Sequence, residues 1–299
     1  MKLQTLIDQA ARQPKRTVAV AAAADREVLD AVKQAAELGL AKFRLYGKED
    51  LIRELLGECD LLHSEDVRII DAPLDADAAV RAVQAVRAGE AEVLMKGHIA
   101  TSAILKAVLN KEYGLRKGSV LSHVAVFEVP SYDRLLLVTD AAMNVAPDLE
   151  QKKAILENAA AVARAIGIEI PKAAPIAAVE TVNPAMPATV DAALLAQMNR
   201  RGQIQGCLVD GPLALDNAIS GLAAEHKGIT GEVAGRADIL LVPNLEAGNI
   251  LYKSLVYFAH ARVGAIVAGA TAPIVLTSRA DSAEAKVYSL ALAVVTASQ

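Results

Sequence analysis

Residues 17–39 read TVAVAAAADREVLDAVKQAAELG. Thr17–Ala23 is a run of small and β-branched residues, the pattern of a strand buried on both faces. The amphipathic stretch that follows reads as a helix over Asp25–Leu38, capped by Asp25 and ended by Gly39. This cadence recurs. Lys42–Tyr46, Val67–Asp71 and Glu92–Lys96 read as strands, with helical segments such as Ala76–Ala88 between them. Leu121–Glu128 and Leu135–Thr139 form a strand pair across the turn VPSYDR. A long helix over Leu149–Ile166 leads to further strands at Pro175–Val179, Gly206–Val209 and Asp238–Val242. The chain closes with strands Ala265–Ala268 and Ile274–Thr277 and a helix over Ser282–Thr296. Strands alternating with helices of this length predict an α/β fold with mainly parallel sheets. The polar stretch Asp140–Asp148 is the best boundary. It gives a discontinuous first lobe, 1–140 plus 266–299, and a second lobe, 141–265. In such lobes ligands bind at the carboxyl ends of the strands.

Composition excludes several classes. Hydrophobic residues make up 54% of the 299, carried by Ala, Val, Leu and Ile because aromatics are only 3%, so a large core is available. No apolar run reaches the roughly 18 residues of a membrane span. The start, MKLQTLIDQAARQ, lacks the apolar block and cleavage site of a secretory signal, which predicts a cytoplasmic chain. The net charge of −4 comes with scattered basic residues, unlike the basic stripe of a nucleic-acid binder. Cys59 and Cys207 form no CxxC pair, and no HExxH or calcium loop occurs, so no metal is expected. Cys207, in the apolar run GCLVD, reads as core packing.

Polar residues gather where strands end. In PIVLTSRADSAEAK (273–286) a buried strand stops at Ser278-Arg279, and a helix begins near Ser282. A helix start favours anions, and Arg279 adds a planar fork suited to phosphate. The competing reading has Asp281 capping the helix, Glu284 completing a capping box and Arg279 in solvent. After the apolar run EVL come Met95-Lys96-Gly97-His98, where Lys96 supplies a cation and Gly97 admits a ligand to the backbone. A lysine at a strand end is otherwise a surface residue. Ser122-His123 stands inside an apolar run, where a histidine is a ligand group or a satisfied core residue. Asp140 and Asp210-Gly211 end strands as binding acids or as turn formers. NLEAGNILYK (244–253) starts a helix close to something through Gly248 and Asn249. GITGEVAGRAD matches no nucleotide phosphate loop.

Six segments occur in order: MKGHIATSAILKAVLNKEYGLRKGSVLSHVAVFEVP, VTDAAMNVAPDLEQK, AAVETVNPAMPATVDAA, VDGPLALDNAIS, EVAGRADILLVPNLEAGNILYK and TSRADSAEAK. Together they resemble the phosphate acyltransferase family, in its butyryltransferase branch, from about Thr17 to about Leu292. The resemblance implies two α/β/α lobes with a cleft between them, similar to isocitrate and isopropylmalate dehydrogenases. It also implies a homodimer of short-chain fatty acid metabolism, with no metal and no permanently bound cofactor. Coenzyme A would be a substrate: acyl-CoA plus phosphate gives acyl phosphate and free CoA. The family's Ser-Arg pair falls on Ser278 and Arg279. Its substrate-binding positions fall on Lys96, Gly97, Ser122, His123, Asp140, Asn144, Asp210, Gly211, Gly248 and Asn249. One departure matters. The acetyl branch carries an Asp as base for the CoA thiol seven residues after the Ser, and here that position is Ala285.

In the direction that consumes acyl phosphate, the CoA thiolate attacks the acyl carbonyl and phosphate leaves. A free thiol titrates near 8.5, so a base or a cation must help. Asp281, three residues after Ser278, is the expected base. Ser278 donates a hydrogen bond, while Arg279 and the helix start hold developing charge. The butyryl substrate class, straight or branched C4–C5, is expected over acetyl. A non-catalytic acyl-CoA or acyl-phosphate sensor on the same scaffold is the alternative of another class. A decarboxylating dehydrogenase would need a metal site and nucleotide pocket that the sequence does not supply.

Overall fold

The computed structural model describes residues 2–118, 120–276 and 281–298. The chain begins with α1 (Leu3–Arg12), β1 (Arg16–Ala21), α2 (Arg26–Glu37), β2 (Ala41–Gly47) and α3 (Glu49–Glu58). Then come β3 (Val67–Asp71), α4 (Asp75–Arg87), β4 (Val93–Lys96) and α5 (Thr101–Val108). The middle holds β5 (Ser122–Glu128), β6 (Leu135–Thr139), α6 (Leu149–Ala165), β7 (Lys172–Pro175) and α7 (Pro187–Arg200). It continues through β8 (Leu208–Val209), α8 (Leu215–Ile219), α9 (Gly221–His226), β9 (Ile239–Leu241) and α10 (Leu245–Tyr257). The chain ends with β10 (Arg262–Ala268), β11 (Ile274–Val275) and α11 (Ala283–Ala297).

These elements form two compact units, residues 3–118 with 264–299, and residues 119–263. In the first unit the strand order is β3-β2-β1-β4-β11-β10. Every pair there is parallel except β10 with β11. Residues 286–295 of α11 are all buried, as expected of a helix that is apolar all round. It packs against α1, α2, β4 and β11. The second unit runs β5-β6-β9-β7-β8, parallel except for the β5–β6 hairpin.

Alternation predicts the strands of the first unit to within a residue or two, except that β10 begins three residues before the expected Ala265. Asp25 caps α2 as expected, its side chain accepting from the Val28 N–H. Two readings shift. β5 and β6 belong with residues 119–263, because β6 pairs in parallel with β9 (Val138 opposite Leu240) and α6 packs on β5, β6 and β9. β7 lies at Lys172–Pro175, before the expected Pro175–Val179, since Ala173 pairs with both Ile239 and Val209. Both stretches are apolar, so local composition does not choose between them.

Candidate active site

In the first unit, β1, β4 and β11 run parallel side by side, with Ala21 opposite Lys96 and Val275 opposite Met95. The segments that follow these strands therefore leave from one edge. Lys96, expected at the surface unless it binds, is buried at 8% exposure, and its Nζ donates to Gly97 O at 3.2 Å. A cation buried at the carboxyl end of a parallel strand stands where ligands bind in α/β sheets. Gly97 is required for another reason than the one read from sequence. A Cβ there would stand 2.2 Å from Ala22 O and 2.6 Å from Ala21 O. Its glycine admits the end of β1, a close backbone approach that needs no ligand to explain it. His98 continues the loop, with Nδ1 3.1 Å from Asp25 Oδ2.

Beyond β11, Ser278 and Arg279 lie outside the described residues. Asp281 stands immediately before the cap of α11, which is Ser282: its side chain accepts from the Ala285 N–H. The capping-box reading of Asp281 and Glu284 is thereby corrected. With Ser282 as cap, the third helical position is Ala285, which has no side chain to reach back. Glu284 instead accepts from Tyr288 Oη at 3.0 Å, one turn along the helix.

In the second unit the carboxyl ends of β6, β9, β7 and β8 share an edge, and the antiparallel β5 begins there. Ser122, His123, Asp140 and Asn144 come together at this edge. Asp140 is 3% exposed, and both of its carboxylate oxygens accept hydrogen bonds. Oδ1 accepts the N–H groups of Ala142 and Met143, both at 2.9 Å, and Oδ2 accepts from Asn144 Nδ2 at 2.6 Å. Asn144 also donates to Leu121 O at 2.8 Å. Asp140 thus braces the turn after β6 and ties it to the start of β5. Buried Ser122 takes a hydrogen bond from Asn158 Nδ2 at 2.9 Å.

α10 starts over this turn. Asn244 caps it, accepting from Ala247 N–H, so the helix begins at Leu245 and Gly248-Asn249 lie inside its first turns. A Cβ on Gly248 would meet Asp140 O at 2.7 Å and Ala141 Cα at 2.9 Å. The end of β6 is what the glycine lets the helix approach. Asn249 is exposed. Tyr252, which the sequence reading missed, sits one turn further and packs on His123 and Phe127, with ring centroids 5.9 and 5.2 Å away. The only signal for it was its place in the segment NILYK.

Asp210 and Gly211 stand apart from that group. β8 is three strands from β6, about 14 Å at usual strand spacing. Asp210 Oδ1 accepts from the Gly211 N–H at 3.0 Å, the habit of a turn former. The same unit holds a second cluster absent from the sequence reading, in which Glu180 Oε1 accepts from Lys227 Nζ at 2.7 Å and from Asn217 Nδ2. The lysine holds the Glu180 carboxyl below its ordinary range.

The strongly perturbed groups do not mark the site. Burial pushes the Cys207 thiol up to about 11, and burial also raises the Asp238 carboxyl. Both residues precede their strands, β8 and β9, at the edge opposite to Asp140 and Asp210. A neutral buried thiol is a poor nucleophile, in keeping with core packing. Among the described residues no group of His, Cys, Asp and Glu could hold a metal ion, and no helix is long and apolar enough to cross a membrane.

A family model described as "Phosphate acetyl/butaryl transferase" matches residues 64–294. A Bacillus subtilis (strain 168) protein named "Probable phosphate butyryltransferase" is 58% identical over 294 residues, covering 98% of this chain and 97% of its own. A phosphate acetyltransferase of Thermotoga maritima is 46% identical, covering 99% of each. The crystal structure of a branched-chain phosphotransacylase from Enterococcus faecalis V583 superposes with a TM-score of 0.83 at 38% identity. It covers 94% of this chain and 99% of its own. The chain belongs to the phosphate acetyl/butyryl transferase family, a family of acyltransferases.

Proposed function

We propose that this acyltransferase moves a butyryl-type acyl group, C4–C5 and straight or branched, reversibly between coenzyme A and inorganic phosphate. The observation that carries the reading is the first unit's strand edge. There buried Lys96 stands beside the end of β11, the strand that leads in sequence to Ser278-Arg279. A cation held there suits a reaction whose substrates and products are phosphates and whose nucleophile is a thiolate. The relative named for butyryl transfer at 58% identity, against 46% for the acetyl one, supports the longer acyl chain.

In this reading the CoA sulfur, as thiolate, bonds to the acyl carbon while the bond from that carbon to the phosphate oxygen breaks. The thiol proton passes to a base, and phosphate departs with the bonding electrons. Arg279 forks onto the phosphate, and Ser278 donates to oxygen on the reacting group. Asp281 is the candidate base, since Ala285 carries no acid and Asp281 lies three residues after Ser278. In the second unit, His123 with Tyr252 and the exposed Asn249 are the side chains available to substrate. Asp140, Asn144, Ser122 and Gly248 shape that surface from behind.

The same chain would work as a cytoplasmic homodimer, with coenzyme A as substrate and no permanently bound cofactor. α10 supports the dimer: among its residues only Gly248 is buried, while Ile250 and Tyr257 are exposed and Phe258, just after it, is 85% exposed. An apolar helix this open in water marks a protein contact. In sedimentation, Phe258→Glu should shift the wild-type dimer towards monomer; a monomeric wild type refutes the assignment.

The test of function is phosphate-dependent release of free CoA from acetyl-, propionyl-, butyryl-, isobutyryl- and isovaleryl-CoA. A C4 or C5 substrate should exceed acetyl-CoA at least about tenfold in kcat/KM, a gap of about 1.4 kcal/mol. A preference for acetyl-CoA overturns the butyryl assignment. Binding of CoA without any release of thiol would make the protein a sensor.

A further inference from the structure

Lys286 has no role in the reaction described above, yet its placement is costly. It is 4% exposed and lies in the first turns of α11. Burial disfavours its charge, and a helix N-terminus repels cations. Its Nζ is 2.8 Å from Glu27 Oε2, in the first turn of α2. Two residues earlier, Asp25 Oδ2 lies 3.1 Å from His98 Nδ1, while its Oδ1 accepts from Val28 N–H at 3.1 Å. One turn of α2 therefore grips both segments that leave the strand edge: the loop after β4, through His98, and the start of α11, through Lys286. Both carboxylates belong where a helix N-terminus favours anions.

We propose that Glu27 and Asp25 are positioning residues, with the Glu27–Lys286 pair as the principal contact. It fixes the start of α11 against α2, and with it Asp281, which stands immediately before the Ser282 cap. This inference rests on the acyl-transfer reading of the same edge. Reacting groups lose much of their effect when displaced by about 1 Å, as much as a hundredfold, so a distant clamp controls rate. The two ends of the pair differ in burial, which separates positioning from stability. Removing the lysine leaves Glu27, whose side chain is 61% exposed and stays solvated. Removing the glutamate strands a buried ammonium, a far more damaging change.

The experiment compares Lys286→Met, Lys286→Arg, Glu27→Gln and the double variant Glu27→Gln/Lys286→Met in CoA release and in amide hydrogen exchange over residues 283–286. Lys286→Met should keep the wild-type melting temperature within a few degrees and lose about tenfold in kcat/KM for phosphate, mainly through KM. Lys286→Arg should recover to within about threefold of wild type. The double variant should be no less active than Lys286→Met alone. Exchange at the start of α11 should rise in Lys286→Met and not in Lys152→Met, which removes the buried pair with Asp191 in the other unit. If Lys286→Met keeps kinetics within twofold and its exchange is unchanged, the clamp is wrong. An inactive wild type would refute the function instead, and the exchange comparison would still decide the positioning.

Discussion

Replacing Gly97 by alanine tests how the strand edge is built. The added Cβ would sit 2.2 Å from Ala22 O, 2.6 Å from Ala21 O and 2.8 Å from Ala22 C. All three are backbone atoms, so no side chain can swing away, and the loop after β4 must retreat by on the order of 1 Å. That retreat pulls on two hydrogen bonds, Gly97 N–H to Ala21 O and His98 N–H to Ala22 O, both 2.8 Å. Two lost bonds cost about 1 kcal/mol each, and overpacking adds about 1–3 kcal/mol. The expected loss is about 3–5 kcal/mol, a melting temperature lower by on the order of 10 °C. Urea unfolding and thermal melts read it directly. Gly57→Ala in α3 is the control: nothing lies within 4 Å of a Cβ there, and helix propensity makes it about 1 kcal/mol stabilising. Because Lys96 and His98 flank the strained position, Gly97→Ala assayed well below its melting point should also lose at least about tenfold in kcat/KM. A variant within about 1 kcal/mol of wild type, with unchanged kinetics, refutes the reasoning.

Arg279→Lys keeps the charge but loses the bidentate fork, so KM for phosphate should rise with kcat less affected; wild-type kinetics would return Arg279 to solvent. Asp281→Asn, folded, should lose roughly 10²–10⁴ in kcat if Asp281 is the base, whereas Glu284→Gln should lose little. A loss below about tenfold in Asp281→Asn leaves thiolate formation to solution and to nearby cations. The Cys207 thiol, raised to about 11 from an ordinary 9, keeps its proton to higher pH folded than unfolded. Its contribution is full below about pH 9 and is lost as pH rises through about 11, about 3 kcal/mol. Cys207→Ala should flatten the alkaline fall in stability, measured by urea titration from pH 8 to 11.

The sequence by itself determined the kind of fold and the place to look. Strand–helix alternation, the Asp25 cap and the break at Gly39 are local signals, fixed by a few neighbouring residues and their backbone preferences. Polar residues following apolar runs likewise pointed to strand ends, and the six ordered segments pointed to the family. Tertiary structure decided the surroundings of the described residues there. Whether Lys96 is buried, whether Gly97 yields to a ligand or to Ala22, and where the Asp140 carboxylate spends its acceptors depend on atoms far away in sequence. The Glu27–Lys286 pair joins residues 259 positions apart, and Tyr252 reaches His123 only because β5 starts at the edge where α10 begins. β7 was misplaced for the same reason: an apolar run offers several possible strands, and only pairing with β8 and β9 selects one. Local chemistry sets what a segment prefers; burial, charge compensation and close backbone approach arise only when separate segments meet.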